Sequence, residues 1–127
     1  MALILVIDDE YLLATLLGDI LEDEGHEVVL APNGRVALER VRERRPALVI
    51  TDFMMPVMTG LEFAQALQAD AEIGPIPVIL VSGAQGALAR EHPELFHAVL
   101  DKPYDNARLI DEVEKALGQR NGGDAER

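Results

Sequence analysis

The chain contains no cysteine. That excludes a disulfide scaffold and any thiolate metal centre, and it is compatible with a reducing compartment. Positive charge is scarce: 11 Lys and Arg stand against 23 Asp and Glu, a net charge of −12 over 127 residues. A surface of that sign repels a phosphate backbone, so direct nucleic-acid binding is not expected. No apolar run approaches the ~18 residues of a membrane span. Met1–Ile7 is too short for a signal peptide and lacks its basic flank. A soluble, cytoplasmic protein without membrane contact is the expectation. Internal repeats and low-complexity tracts are missing, and the length suits one domain that buries roughly two-thirds of its unfolded surface. The three histidines, His26, His92 and His97, stand in no ligand spacing, and no serine neighbours a histidine. Imidazole metal sites and a Ser-His nucleophile are therefore not read here, nor is a phosphohistidine on this chain.

What the chain does have is four short apolar runs, each leading into a reactive polar residue. Leu3–Ile7 leads into Asp8-Asp9, Ala47–Thr51 into Asp52, Ile76–Val81 into Ser82, and Ala98–Leu100 lies just before Lys102-Pro103. In an open parallel sheet the carboxyl ends of the strands share one edge, where ligands bind, so these residues would converge. Crowded carboxylates repel by roughly 4 kcal/mol per pair at about 4 Å and an effective dielectric near 20, and so call for a cation. An all-oxygen donor set suits Mg²⁺, which itself favours phosphate oxygens. Lys102 offers a point charge and Ser82 a hydroxyl, the further parts of a phosphoryl-transfer site, and Asp52 is the best nucleophile candidate.

Between these runs the pattern alternates strand and helix, which implies an α/β fold with a right-handed, doubly wound parallel sheet. The first helix is read over about Tyr11–Glu24, with Leu13, Leu16, Leu17, Ile20 and Leu21 as its apolar stripe and Gly25 as its stop. His26–Ala31 reads as the second strand, and Asn33 caps a helix that reaches Arg44 before Pro46. Thr59-x-x-Glu62 has capping-box form, and Leu61, Ala64 and Leu67 are expected to face the sheet. Gly83, Gly86 and Pro93 leave room only for a short fourth helix near Ala87–Glu91. A fifth strand at about His97–Leu100 precedes a helix capped by Asp105, with Leu109, Ile110, Val113 and Leu117 as its stripe. The division expected is a domain over 1–118 and a frayed tail over 119–127.

The joint order of Asp8-Asp9, Asp52, Met55-Pro56-x-Met58-x-Gly60, Ser82-Gly83-Ala84 and Lys102-Pro103 resembles the receiver domain of bacterial two-component response regulators over residues 3 to about 118, chemotaxis-regulator-like and single-domain. The resemblance implies a flavodoxin-like, five-stranded sheet of order 2-1-3-4-5. It implies that Asp9 ligates Mg²⁺ directly, Asp8 through water, Asp52 with one carboxylate oxygen and Met54 through its backbone carbonyl. It further implies a cis Lys102-Pro103 bond that aims the ammonium into the pocket, a Ser82 hydroxyl on the phosphoryl group, and a Gly83 that leaves space for the donor. The phosphoryl group would pass to Asp52 from a phosphohistidine on a sensor kinase or histidine phosphotransfer protein. Such a domain catalyses its own phosphorylation and dephosphorylation without being a classical turnover enzyme. With nothing after Arg127, output through contact with a downstream protein is expected, unless the chain is an excised receiver of a longer one.

Each residue also has a plainer reading. Asp8 and Asp9 could cap the first helix, Glu10 could be a solvated first-turn acid, Ser82 a turn residue, and Lys102 could snorkel to solvent. Met54, Met55 and Met58 read as loop packing rather than metal-sulfur chemistry, and the arginines Arg35, Arg40, Arg42, Arg44 and Arg45 as a solvated face. Two departures from the family pattern stand out. Val99 occupies the place where receivers usually carry a switching Tyr or Phe, with Phe96 and Tyr104 nearby but not at it. Met54 and Ala84 border the place of the attacking water and cannot orient it. Two rival readings follow: a pseudo-receiver that serves only as an interaction module, and a Mg²⁺-dependent aspartyl-phosphate hydrolase. The hydrolase lacks its expected second acid, since Met54 stands two residues after Asp52, and a flavin site lacks a phosphate-cradling loop after the first strand.

Overall fold

The computed structural model describes residues 2–83 and 86–120, with the side chains of Gln119 and Arg120 left aside. The near-continuous apolar runs become the inner strands of one parallel sheet. β1 (Leu3–Ile7), β3 (Leu48–Asp52) and β4 (Val78–Ser82) are flanked by β2 (Glu27–Ala31) and β5 (Ala98–Asp101), in the order β2-β1-β3-β4-β5. Strands buried on both faces need no polar alternation. Leu5, Ile7, Val49, Val78 and Leu80 point into one core, under α2 (Gly34–Glu43), α3 (Gly60–Ala69) and α4 (Gly86–Arg90). Ile4, Val6, Leu48, Ile50, Ile79 and Val81 point into the other, under α1 (Tyr11–Asp23) and α5 (Asn106–Arg120). The expected doubly wound, flavodoxin-like architecture is borne out. The chain turns from β1 outward to β2 and then back across to β3, so the crevice between β1 and β3 opens at the carboxyl edge.

Local chemistry fixes the helix ends. Asn33 Oδ1 accepts the Val36 N–H at 2.9 Å at the start of α2. Thr59 and Glu62 form the expected reciprocal capping box of α3. Gly25, at φ 93°, takes the left-handed turn that ends α1. Gly60 is tightly constrained: its N–H donates to the Phe53 carbonyl at 2.8 Å, and a Cβ there would collide with the Asp52 carbonyl oxygen.

The differences from the sequence reading have local causes. β4 starts at Val78, not Ile76, because Pro77 has no N–H and the Ile76 N–H is spent on the Ile73 carbonyl in the preceding turn. β2, β3 and β5 likewise begin one residue later than read. The buried stripe of α1 is Ala14, Leu17, Gly18 and Leu21, so Leu13 and Leu16, read as core, face outward. Met55 and Met58 pack into the α2–α3 core as expected, whereas Met54 is exposed. The arginines on and after α2 lie at the surface as read, and three of them also pair there: Arg44 forks onto Glu27, Arg42 reaches Asp70, and Arg40 reaches Glu43. α5 continues through Gly118 to Arg120, two residues past the expected boundary, and the rest of the expected tail lies outside the described residues. No helix among the described residues is long and apolar enough to cross a membrane.

Candidate phosphoacceptor pocket

Each reactive residue sits where its strand ends. Asp8 follows β1 and is half-buried, and its Oδ1 accepts the Glu10 N–H at 2.9 Å. That bond makes a turn before α1 rather than a cap: Glu10 is the N-cap residue and makes no side-chain cap. The capping reading of Asp8 and Asp9 therefore does not describe them. Asp9 is exposed beside it. Asp52 closes β3, and its Oδ1 accepts the Phe53 N–H at 2.9 Å. The three carboxylates can each offer an oxygen within 4.8 Å of the other two.

The electrostatics follow from this crowding. Burial pushes the Asp8 carboxyl above its ordinary value. The Glu10 N–H opposes that shift, the neighbouring Asp52 charge adds to it, Lys102 opposes it, and Asp9 adds further. Lys102 Nζ lies 3.4 Å from Asp52 Oδ1, following a cis Lys102-Pro103 bond as the resemblance implied. Its backbone N–H donates to the Ser82 carbonyl at 2.8 Å, which ties β5 to the end of β4. Ser82 is fully buried at the last position of β4, and a Cβ at Gly83 beyond it would meet nothing within 4 Å. Ala84 lies outside the described residues. Burial also raises the Tyr104 hydroxyl, with the charges of Lys102, Asp8 and Asp52 within range.

Two features were not read from the sequence. Thr51 is completely buried beneath Asp52, and its hydroxyl donates to the Asp52 carbonyl at 2.9 Å, steadying the strand end. The pocket also opens into a cleft of about 800 Å³ that runs along the outer side of α1, lined by Leu13, Leu16 and Ile20 of that helix and by Tyr104. With Tyr11 and Leu12 also exposed, α1 carries an apolar outer face. Apolar residues at eight of its 13 positions, more than one stripe needs, were the available signal.

A doubly wound α/β domain whose strand ends gather three aspartates and a lysine defines the class, and comparison with known proteins gives the family. The family model of the response regulator receiver domain matches residues 4–114. The chain belongs to that family, a receiver domain of two-component signalling. It is similar to the polar-differentiation response regulator DivK of Brucella anthropi, at 32% identity over 117 residues, 91% of this chain and 95% of the relative. Among solved structures it resembles a response regulator receiver domain protein of Clostridium thermocellum, at 28% identity and a TM-score of 0.84, covering 95% and 98% of the two chains. The chemotaxis response regulator CheY4 of Vibrio cholerae is similar at 28% identity and a TM-score of 0.82, covering 91% and 98%. Receiver domains of response regulators interact with kinases and downstream targets, and bind Mg²⁺ at an acidic pocket. The donors here fit such an ion: three carboxylates within 4.8 Å, all hard oxygen ligands, with Asp8 held at a raised pKa by its surroundings.

Proposed function

We propose that Asp52 is the phosphoacceptor, taking a phosphoryl group from a phosphohistidine of a sensor kinase or histidine phosphotransfer protein. The observation that carries this reading is the convergence of Asp8, Asp9 and Lys102 on the Asp52 carboxylate. Asp52 Oδ1 is engaged by the Phe53 N–H and the Lys102 ammonium, which orients Oδ2 as the attacking oxygen. The phosphorus–nitrogen bond of the donor breaks as the phosphorus–oxygen bond to Asp52 forms. Lys102 holds the incoming phosphoryl oxygens by its charge, and the Ser82 hydroxyl donates to one of them. Asp8, Asp9, Asp52 and the Met54 backbone carbonyl would hold Mg²⁺, which supplies neutralisation of the phosphoryl charge when bound. Open space at Gly83 and the apolar face of α1 leave the donor a route and a surface to rest on.

The receiver is assigned to the expected residues 1–118 together with the end of α5 at Arg120, in the cytoplasm, with output to a downstream protein. The domain would also catalyse its own dephosphorylation, but the dedicated hydrolase reading is disfavoured, because Met54, the side chain two residues after Asp52, is exposed and has no proton to give or take. Intact-mass measurement after incubation with Mg²⁺ and acetyl phosphate tests the reading. One added phosphoryl group is expected, dependent on Mg²⁺, labile to hydroxylamine and absent in Asp52→Asn. Labelling that survives Asp52→Asn would reject Asp52 as the acceptor, and an unlabelled wild type would favour the pseudo-receiver.

A further inference from the structure

α4 is five residues long, and both of its ends meet one carboxylate of β5. Its last residue, Arg90, forks onto Asp101, with Nη1 at 3.3 Å from Oδ1 and Nη2 at 3.0 Å from Oδ2. Nη2 also donates to the Val99 carbonyl at 3.1 Å. Its first residue, Gly86, is buried against the ends of the Asp101 and Arg90 side chains, so that a Cβ there would have to displace them. Asp101 is in turn one residue from Lys102 and the register partner of Ser82 on β4. The Lys102 N–H to Ser82 carbonyl bond closes the square. The two residues assigned to the phosphoryl group therefore share a backbone corner with the carboxylate that anchors α4. Val99, the half-buried aliphatic side chain on the same strand, has no ring to move between two rotamers.

We propose that the Arg90–Asp101 pair couples the phosphoacceptor pocket to the α4 face: it is closed in the unphosphorylated protein and opens when Ser82 and Lys102 are drawn onto the phosphoryl group. The inference rests on the phosphoacceptor reading above and extends it to the regulation of that site. A planar guanidinium holding two carboxylate oxygens and a carbonyl tolerates little displacement, so a small shift of the β5 end releases it. Both partners are about half exposed, at 49% and 59%, so the pair is weak enough to open at little cost. A contact made only in the unliganded state opposes the ligand, and by reciprocity its removal must favour the ligand by the same factor.

Beryllofluoride with saturating Mg²⁺ is the probe, read by titration and by amide exchange. Arg90→Met keeps the aliphatic stem and removes the fork. It should bind beryllofluoride about two- to fivefold more tightly than the wild type, the range an exposed ion pair supports. Its free form should exchange faster over residues 86–91, as the bound wild type does, while Leu3–Ile7 stays protected. Asp101→Asn should give the same tightening, and the double variant no more than either single one. Equal or weaker binding by Arg90→Met and Asp101→Asn, with Leu3–Ile7 still protected, overturns the coupling and leaves the phosphoacceptor reading intact. A wild type that does not bind beryllofluoride overturns both.

Discussion

Replacing Asp8 by asparagine separates the two roles of the acidic cluster, because the change removes a charge while keeping an oxygen to accept the Glu10 N–H. At the 4.8 Å limit of the cluster and an effective dielectric near 20, each carboxylate pair repels by about 3.5 kcal/mol. Attraction between Lys102 and Asp8, and solvent around the exposed Asp9, reduce the surplus carried by Asp8 to about 1–2 kcal/mol. Without Mg²⁺, Asp8→Asn should therefore melt about 3–7 °C above the wild type at neutral pH. With Mg²⁺ the order should reverse. A ligand at a hundred times its Kd stabilises by about 2.7 kcal/mol, and the variant forfeits much of that. The pH dependence follows from the raised Asp8 pKa. The folded protein holds this proton more tightly than the unfolded chain, so the charged carboxylate costs stability above the folded pKa. That cost fades as pH falls through the folded pKa toward the ordinary value of 3.8. The advantage of Asp8→Asn in EDTA should thus be present at pH 7 and vanish in acid. Calorimetric melts of both proteins in EDTA and in Mg²⁺ decide the matter. A variant that melts below the wild type in EDTA at pH 7 would refute the repulsion argument.

Two further substitutions test how the β3–α3 loop holds the acceptor. Gly60→Ala forces a methyl against the Asp52 carbonyl and should cost about 1–3 kcal/mol in denaturant melts, while slowing acetyl-phosphate labelling of the folded fraction; a neutral effect on both would mean the loop yields freely. Val57 holds φ at 74° with an exposed, β-branched side chain, so Val57→Asn should stabilise the protein by about 0.5–1 kcal/mol in the same melts; a loss of stability would show that Val57 makes a contact worth more than the strain.

The architecture and pocket were legible because both depend on strand ends. Leu3–Ile7 and Ala47–Thr51 are recognisable as strands buried on both faces, and the doubly wound topology then carries Asp8, Asp9 and Asp52 to one crevice without any knowledge of side-chain detail. Capping chemistry was equally local, as Thr59-x-x-Glu62 and Asn33 illustrate. What could not be read depended on tertiary position. Eight apolar residues on α1 offer more than one possible stripe, and only the docked helix distinguishes buried Ala14 and Gly18 from outward Leu13 and Leu16. The shift of β4 to Val78 turned on which carbonyl took the Ile76 N–H. The Arg90–Asp101 fork joins residues 11 apart across a loop, and nothing in the spacing of charges announces such a pair.

The fork on β5 has a counterpart at the opposite side of the sheet, where Arg44 grips Glu27 at the start of β2 with bonds of 2.7 and 3.0 Å. The two outermost strands are thus each four or five residues long and each closed off by a bidentate arginine–carboxylate pair. Short outer strands that carry charged side chains at their ends make poor templates for a strand from another molecule. On that ground the outer strands disfavour strand-by-strand aggregation. The acidic residue that anchors α4 thereby also places a charge at the end of an outer strand.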